Sequence, residues 1–102
     1  MKSLTSSQRQ LLRASAHHLN VVLQTGARGL TPEFIAEAEV ALAHHELVKF
    51  KLVAAESEDR KAMAGELCEA LDAVLVQHIG HVAVLYRENK ERARFRDQLR
   101  RA

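Results

Sequence analysis

With 102 residues, 47% of them hydrophobic and 27% charged, the chain fits one folded domain and excludes a second with a core of its own, residues 88–102 alone being poor enough in apolar groups to be an exception to order. No apolar run approaches the ~18 residues of a bilayer span, and the segment Met1 to Gln8 has no hydrophobic stretch like that of a signal peptide, so a soluble, cytoplasmic chain with no membrane partner is expected. A formal net charge of +2 is a weak argument for a polyanionic partner, and the single cysteine, Cys68, excludes an internal disulfide and leaves stability to packing.

Thr5 followed three residues later by Gln8 is a capping-box pattern. Leu11, Leu12, Ala14 and Ala16 follow at helical spacing, which predicts a first helix from about Ser6 to His17. The β-branched run Val21-Val22-Leu23-Gln24 predicts a short strand that ends at Thr25-Gly26. After the loop Gly26-Ala27-Arg28-Gly29, Thr31-Pro32-Glu33 supplies a cap residue, a proline for the first helical position and an acid for the first turn. The second helix then runs to about His45, with Phe34, Ile35, Ala38, Ala41 and Leu42 as its core stripe. Leu47 to Val53 alternates, placing Val48, Phe50 and Leu52 on one side of a strand and Lys49 and Lys51 on the other. A third helix is predicted from Ser57 to about Asp72, and the strands Val74 to Ile79 and Val82 to Tyr86 flank Gly80 as a hairpin.

The order α-β-α-β-α-β-β predicts an α/β fold with a four-stranded mixed sheet, largely parallel through right-handed crossovers, the hairpin adding one antiparallel strand. Two lysines beneath a helix layer would be costly. The second and third helices are therefore expected to cover the opposite face, leaving the lysine face at least partly open. Residues 4–87 form the expected domain, and residues 88–102 a basic tail, frayed or helical.

Charge is segregated along the chain. Residues 1–32 hold Lys2, Arg9, Arg13 and Arg28 with no acid, and residues 87–102 hold seven bases against Glu88, Glu91 and Asp97, while residues 33–46 and 56–72 are each net negative. One basic and one acidic surface are implied. An extended basic surface is the electrostatic footprint of a nucleic-acid binder, although solvated charge is the commoner explanation in a small protein. The Gly26 to Gly29 loop joins a strand to a helix start, where glycine lets a phosphate approach the main chain and free N–H groups can meet it. Arg28 adds a charged fork. A KH domain uses the same spacing to clamp a nucleic-acid backbone, but two glycines that only turn a strand into a helix fit the pattern as well.

The six histidines do not read as a metal site, because adjacent His17-His18 and His44-His45 point in different directions on a helix and no Cys-x-x-Cys accompanies them. Imidazolium complementing a helix C-terminus is the simpler reading. Cys68 lies on the apolar stripe of the third helix, the place of a core thiol rather than a nucleophile. No set of base, nucleophile and oxyanion donors assembles, and no Walker or dinucleotide loop is present. No enzyme, cofactor or small-molecule substrate is therefore expected.

Several segments together carry a family resemblance: Leu12-Arg13 with Ala16-His17 and Leu19, Val21-Val22, Gly26-x-x-Gly29-Leu30-Thr31, His44-His45-Glu46-Leu47-Val48-Lys49-Phe50-Lys51, Ile79-Gly80 and Val84-Leu85-Tyr86-Arg87. In this order, from about Leu4 to Arg87, the chain resembles the CRM domain, named for chloroplast RNA splicing and ribosome maturation, in its stand-alone bacterial YhbY-like form. The resemblance implies the fold of the C-terminal domain of translation initiation factor three. It also implies a non-catalytic module that binds RNA backbone through the Gly-x-x-Gly loop and a basic surface, in association with rRNA of large-subunit ribosomal precursors. The contacts it implies are Gly26, Ala27, Arg28 and Gly29 in the loop, Arg13 and His17 on the first helix, Lys49 and Lys51 on the second strand, and Arg87 after the last. Asn20-Val21 departs from the family, where a basic residue followed by proline is frequent, and the arginine-rich tail could compensate for that contact. A monomer is expected. The alternative is a protein-interaction adaptor, docking through its acidic helices or open sheet face without binding RNA.

Overall fold

Two threonines start the first two helices. Thr5 Oγ1 accepts from the Gln8 N–H at 3.1 Å and Gln8 Oε1 accepts from the Thr5 N–H at 3.0 Å, closing the capping box that opens α1 (Ser6–Ala16). Thr31 Oγ1 accepts from the Phe34 N–H at 3.1 Å, and Pro32 takes the first position of α2 (Pro32–His45), where its missing donor costs nothing. Between them lies β1 (Val21–Gln24). β2 (Leu47–Lys51), α3 (Ser57–Leu71), β3 (Val74–Ile79), β4 (Val82–Tyr86) and a short α4 (Arg96–Arg101) follow. The computed structural model, which describes residues 4–26, 28–91 and 93–102, therefore has the expected order of elements and gives the tail a helix.

The strands lie in the order β1-β2-β4-β3. β1 and β2 are parallel, whereas β4 is antiparallel to β2 and to β3. The sheet is mixed and four-stranded as expected, with β4 alone running against β1, β2 and β3, but two of its three pairings are antiparallel because β4 lies between β2 and β3. The hairpin is the cause: Gly80, at φ +57°, reverses the chain at little steric cost. β4 then fills the slot beside β2 that the α3 crossover skips, and β3 is left at the sheet edge.

α2 and α3 bury Phe34, Ala38, Leu42, Leu67 and Leu71 against Phe50, Leu52 and Leu85 of the sheet. They cover the face opposite the lysines, as the cost of burying ammonium groups predicts. The lysine face carries a partial layer of its own, in which Leu12 and Ala16 of α1 and Leu99 of α4 pack on Leu47, Val76, Val84 and Tyr86. Lys49 is half-buried at the margin of this layer and Lys51 is exposed beyond it.

The tail is tied to the domain by a buried carboxylate. Glu46 closes α2 at φ +65° and is buried. Its Oε2 accepts from the Asn89 N–H at 2.8 Å and its Oε1 accepts from the Arg94 N–H. Phe95 then meets Tyr86 edge-to-face with ring centroids 6.2 Å apart, and Leu99 is buried beyond it.

Candidate nucleic-acid interface

The Gly26 to Gly29 loop is anchored by the residue before it. Thr25 is buried, its N–H donates to the Lys51 carbonyl at 3.0 Å, and its Oγ1 accepts from the Val53 N–H at 2.8 Å. The loop thus springs from the end of β1 next to the Lys51 end of β2. It closes on itself, with the Gly29 N–H donating to the Gly26 carbonyl at 3.1 Å. Gly29 sits at φ +72°, a conformation that favours glycine, and a Cβ on Gly26 would meet no atom within 4 Å. The Cβ side of Gly26 is therefore open, its chain neighbours aside. Arg28 is exposed, and Ala27 lies outside the described residues.

Arg13 and His17 of α1 meet Lys49 of β2 in one groove of ≈ 540 Å³ between α1 and the sheet. Gln10 and Gln77 also line it, its floor is the aliphatic Ile79, Val82 and Val84, and no carboxylate borders it. The side chains of Arg13, Arg28, Lys49 and Lys51 make no hydrogen bond or ion pair among the described residues. Other arginines are engaged within the fold: Arg9 donates to the Leu75 and Val76 carbonyls, Arg60 to those of Ala54, Ala55 and Gly80, and Arg96 to Glu88. Arg13, Lys49 and Lys51 on the lysine face and Arg28 in the loop are thus free to neutralise an anion, as are Lys61 of α3 and Lys90, Arg100 and Arg101 of the tail among the described residues.

Arg87 is placed apart from this group. It follows Tyr86, which pairs with Leu47 at the end of β2 away from the loop. Its guanidinium donates to both Glu39 carboxylate oxygens and, at 2.9 Å, to the Leu71 carbonyl. The hydrogen bond from Arg87 holds the Glu39 carboxyl below its ordinary range, outweighing the desolvation that pushes the other way. A guanidinium held in this way is a link between α2, α3 and β4 and offers little to an external phosphate.

The remaining candidates fit structural roles. His17 caps α1 as well as lining the groove, and His44 and His45 occupy the last turn of α2. Cys68 packs at the edge of the α2–α3 core, and burial pushes its thiol up, away from the reactive thiolate. A second hollow, beside the loop, is bordered by Glu33 and Glu37 as well as Arg28. A polyanion reaching the loop is therefore repelled on the α2 side and drawn to the Lys51 side. Gln10 and Gln77, which line the groove, and Glu46, which holds the tail, are residues that sequence reasoning leaves out. For Gln77 no periodic signal was available, because a β-bulge between Leu75 and Gln77 sets its direction.

Comparison with known proteins gives one consistent result. The family model described as the CRS1 / YhbY (CRM) domain matches residues 4–87. The chain is 43% identical over 91 residues to an RNA-binding protein of Haemophilus influenzae, covering 89% of this chain and 92% of that one. It is 45% identical over 87 residues to a Pseudomonas aeruginosa protein named a probable RNA-binding protein, covering 85% and 84% of the two chains. The solution structure of a Staphylococcus aureus protein, 35% identical, superposes with a TM-score of 0.76 over 83% of this chain and 88% of that one.

Proposed function

The chain belongs to the CRS1/YhbY (CRM) domain family, and from that premise we propose that it is a non-catalytic RNA-binding protein that holds RNA backbone against its Gly-x-x-Gly loop and lysine face. The observation that carries the proposal is the convergence of Arg13, His17 and Lys49 on one groove without a carboxylate, next to Lys51 and the loop. The relatives' names support RNA as the polyanion. In this reading the Gly26 main chain receives one phosphate, with Arg28 beside it, while Lys51, Lys49 and Arg13 neutralise those that follow across the sheet. Arg87 serves the fold, and the ring of His17 is placed to meet a phosphate at the end of α1.

The family resemblance directs the reading toward rRNA in large-subunit ribosomal precursors, bound in the cytoplasm by a monomer. Sedimentation of cell lysate through sucrose gradients at low and moderate salt tests this part. Co-migration with large-subunit particles that is lost as salt rises is expected. A chain that stays at the top of the gradient at every salt contradicts the ribosomal assignment while leaving RNA binding to be measured directly.

A further inference from the structure

β3 carries a bulge that bears on the groove beneath α1. Leu75 pairs with Leu85 and Gln77 with Val84, so Val76 is an extra residue on β3 with no opposite number on β4. Neighbouring residues of a regular strand point to opposite faces. Here Val76 is buried with Leu12 on the α1 side, and Gln77, the next residue, also turns to that side and lines the groove. Arg9, from α1, donates to the carbonyls of Leu75 and, at 3.2 Å, of Val76, satisfying main-chain groups at the irregularity. The bulge brings a carboxamide into a groove whose other wall presents a second carboxamide, Gln10.

The lining defines a ligand chemistry. Arg13, His17 and Lys49 at the rim call for an anion, and no carboxylate opposes one. The floor is aliphatic, and Ile79 on it is 64% exposed, an apolar surface that a flat ring could cover. Each glutamine offers donors and an acceptor, matching a planar group whose edge mixes both. A nucleotide combines the three properties. Its base must be unpaired, because a base within a duplex has its faces stacked and its pairing edge occupied.

Resting on the RNA-binding function above, we propose that the groove between α1 and the bulged β3 seats one unpaired nucleotide of the bound RNA. The base lies on Ile79, Val82 and Val84, Gln10 and Gln77 meet its edge, and Arg13 and Lys49 meet its phosphate. The chain then reads RNA at one point while holding the rest by its backbone.

The test uses the full chain and two probes, a fully paired RNA hairpin and the same hairpin with one unpaired nucleotide in its stem. The unpaired probe is expected to bind about tenfold tighter, the scale of one well-made base contact. Gln10→Ala and Gln77→Ala are each expected to remove most of that preference and to leave the salt dependence unchanged, since neither carries charge. Gln10 is exposed on a helix, so alanine there keeps the fold. Equal affinity for the two hairpins, or a preference that survives both substitutions, overturns the groove assignment and leaves backbone binding standing. Failure to bind either hairpin at low salt overturns the RNA-binding function and the groove with it.

Discussion

Gly26 and Gly29 differ in what a side chain would meet. At Gly29 any substitution is strained by φ +72°, so a loss of binding there would mix a disturbed loop with a blocked one. At Gly26 a Cβ enters open space. Gly26→Asp is therefore expected to leave the melting temperature unchanged and to weaken RNA binding about tenfold or more, by placing a carboxylate where a phosphate would sit. An unchanged affinity would remove the loop from the interface. Arg87 invites the opposite expectation. Arg87→Ala should cost on the order of 1 kcal/mol of stability, as the links to Glu39 and Leu71 are lost, with RNA affinity within about twofold. The sign of the pH effect follows from Glu39, whose folded-state pKa lies below its unfolded value. The contribution of the pair is present above the ordinary carboxylate range and is lost as pH falls through the folded value, by a small amount because Glu39 is half-exposed. An acid limb identical in Glu39→Gln and the parent chain would contradict this assignment. Sequence alone could not separate Arg87 from Lys49, since the carboxylate that holds it lies 48 residues away.

Helix and strand bounds were legible because their signals are local: a capping box at Thr5, a Thr-Pro start at Thr31, alternation in β2 and a glycine between β3 and β4. Strand order was not, because it depends on which hairpin arm enters the slot beside β2. The role of residues 88–102 was hidden for a similar reason. Glu46 reads in sequence as one more acid of a negative stretch, yet its carboxylate is buried and accepts two main-chain N–H groups of the tail. Glu46→Ala is expected to cost about 2–4 kcal/mol, the scale of two part-buried hydrogen bonds to a charged acceptor, and to speed hydrogen exchange at Asn89 and Arg94 selectively. The chain's single tyrosine reports the same event. Burial first, then the Glu46 and Glu88 carboxylates, push the Tyr86 phenol up to about 12. A raised value means that the contribution is fully present below the unfolded pKa of about 10 and is lost as pH rises through the folded one. The tyrosinate absorbance of the parent chain should therefore titrate near 12, and that of Glu46→Ala closer to 10. An ordinary midpoint in the parent chain would mean that α4 does not cover Tyr86. Removing residues 88–102 is consequently a poor probe of whether the tail arginines touch RNA, because it also removes Leu99 from the second core. Arg100→Gln with Arg101→Gln separates the two effects, since both residues are exposed.

Across the whole molecule, a net charge of +2 conceals two unlike surfaces. α2 and α3 carry most of the acids over one face of the sheet, while the other face and the loop hold Arg13, Lys49, Lys51 and Arg28 without partners among the described residues. Segregated charge and the alternation of Lys49 and Lys51 made that basic face legible in the sequence, and two glycines between a strand and a helix start singled out the loop, to which the family resemblance added an expected role. What could not be read was the docking of α1 on the same face, which gathers Arg13 and His17 to Lys49 and makes a groove of what would otherwise be a flat strand surface. The direct measurement is the slope of log Kd against log salt for a structured RNA, in the parent chain and in Lys49→Ala and Lys51→Ala. If the lysine face neutralises phosphates, each substitution lowers affinity for all RNA sequences alike and reduces the slope by about one. A parent chain whose affinity is flat with salt, or substitutions that leave its slope unchanged, would contradict the assignment of this face to RNA.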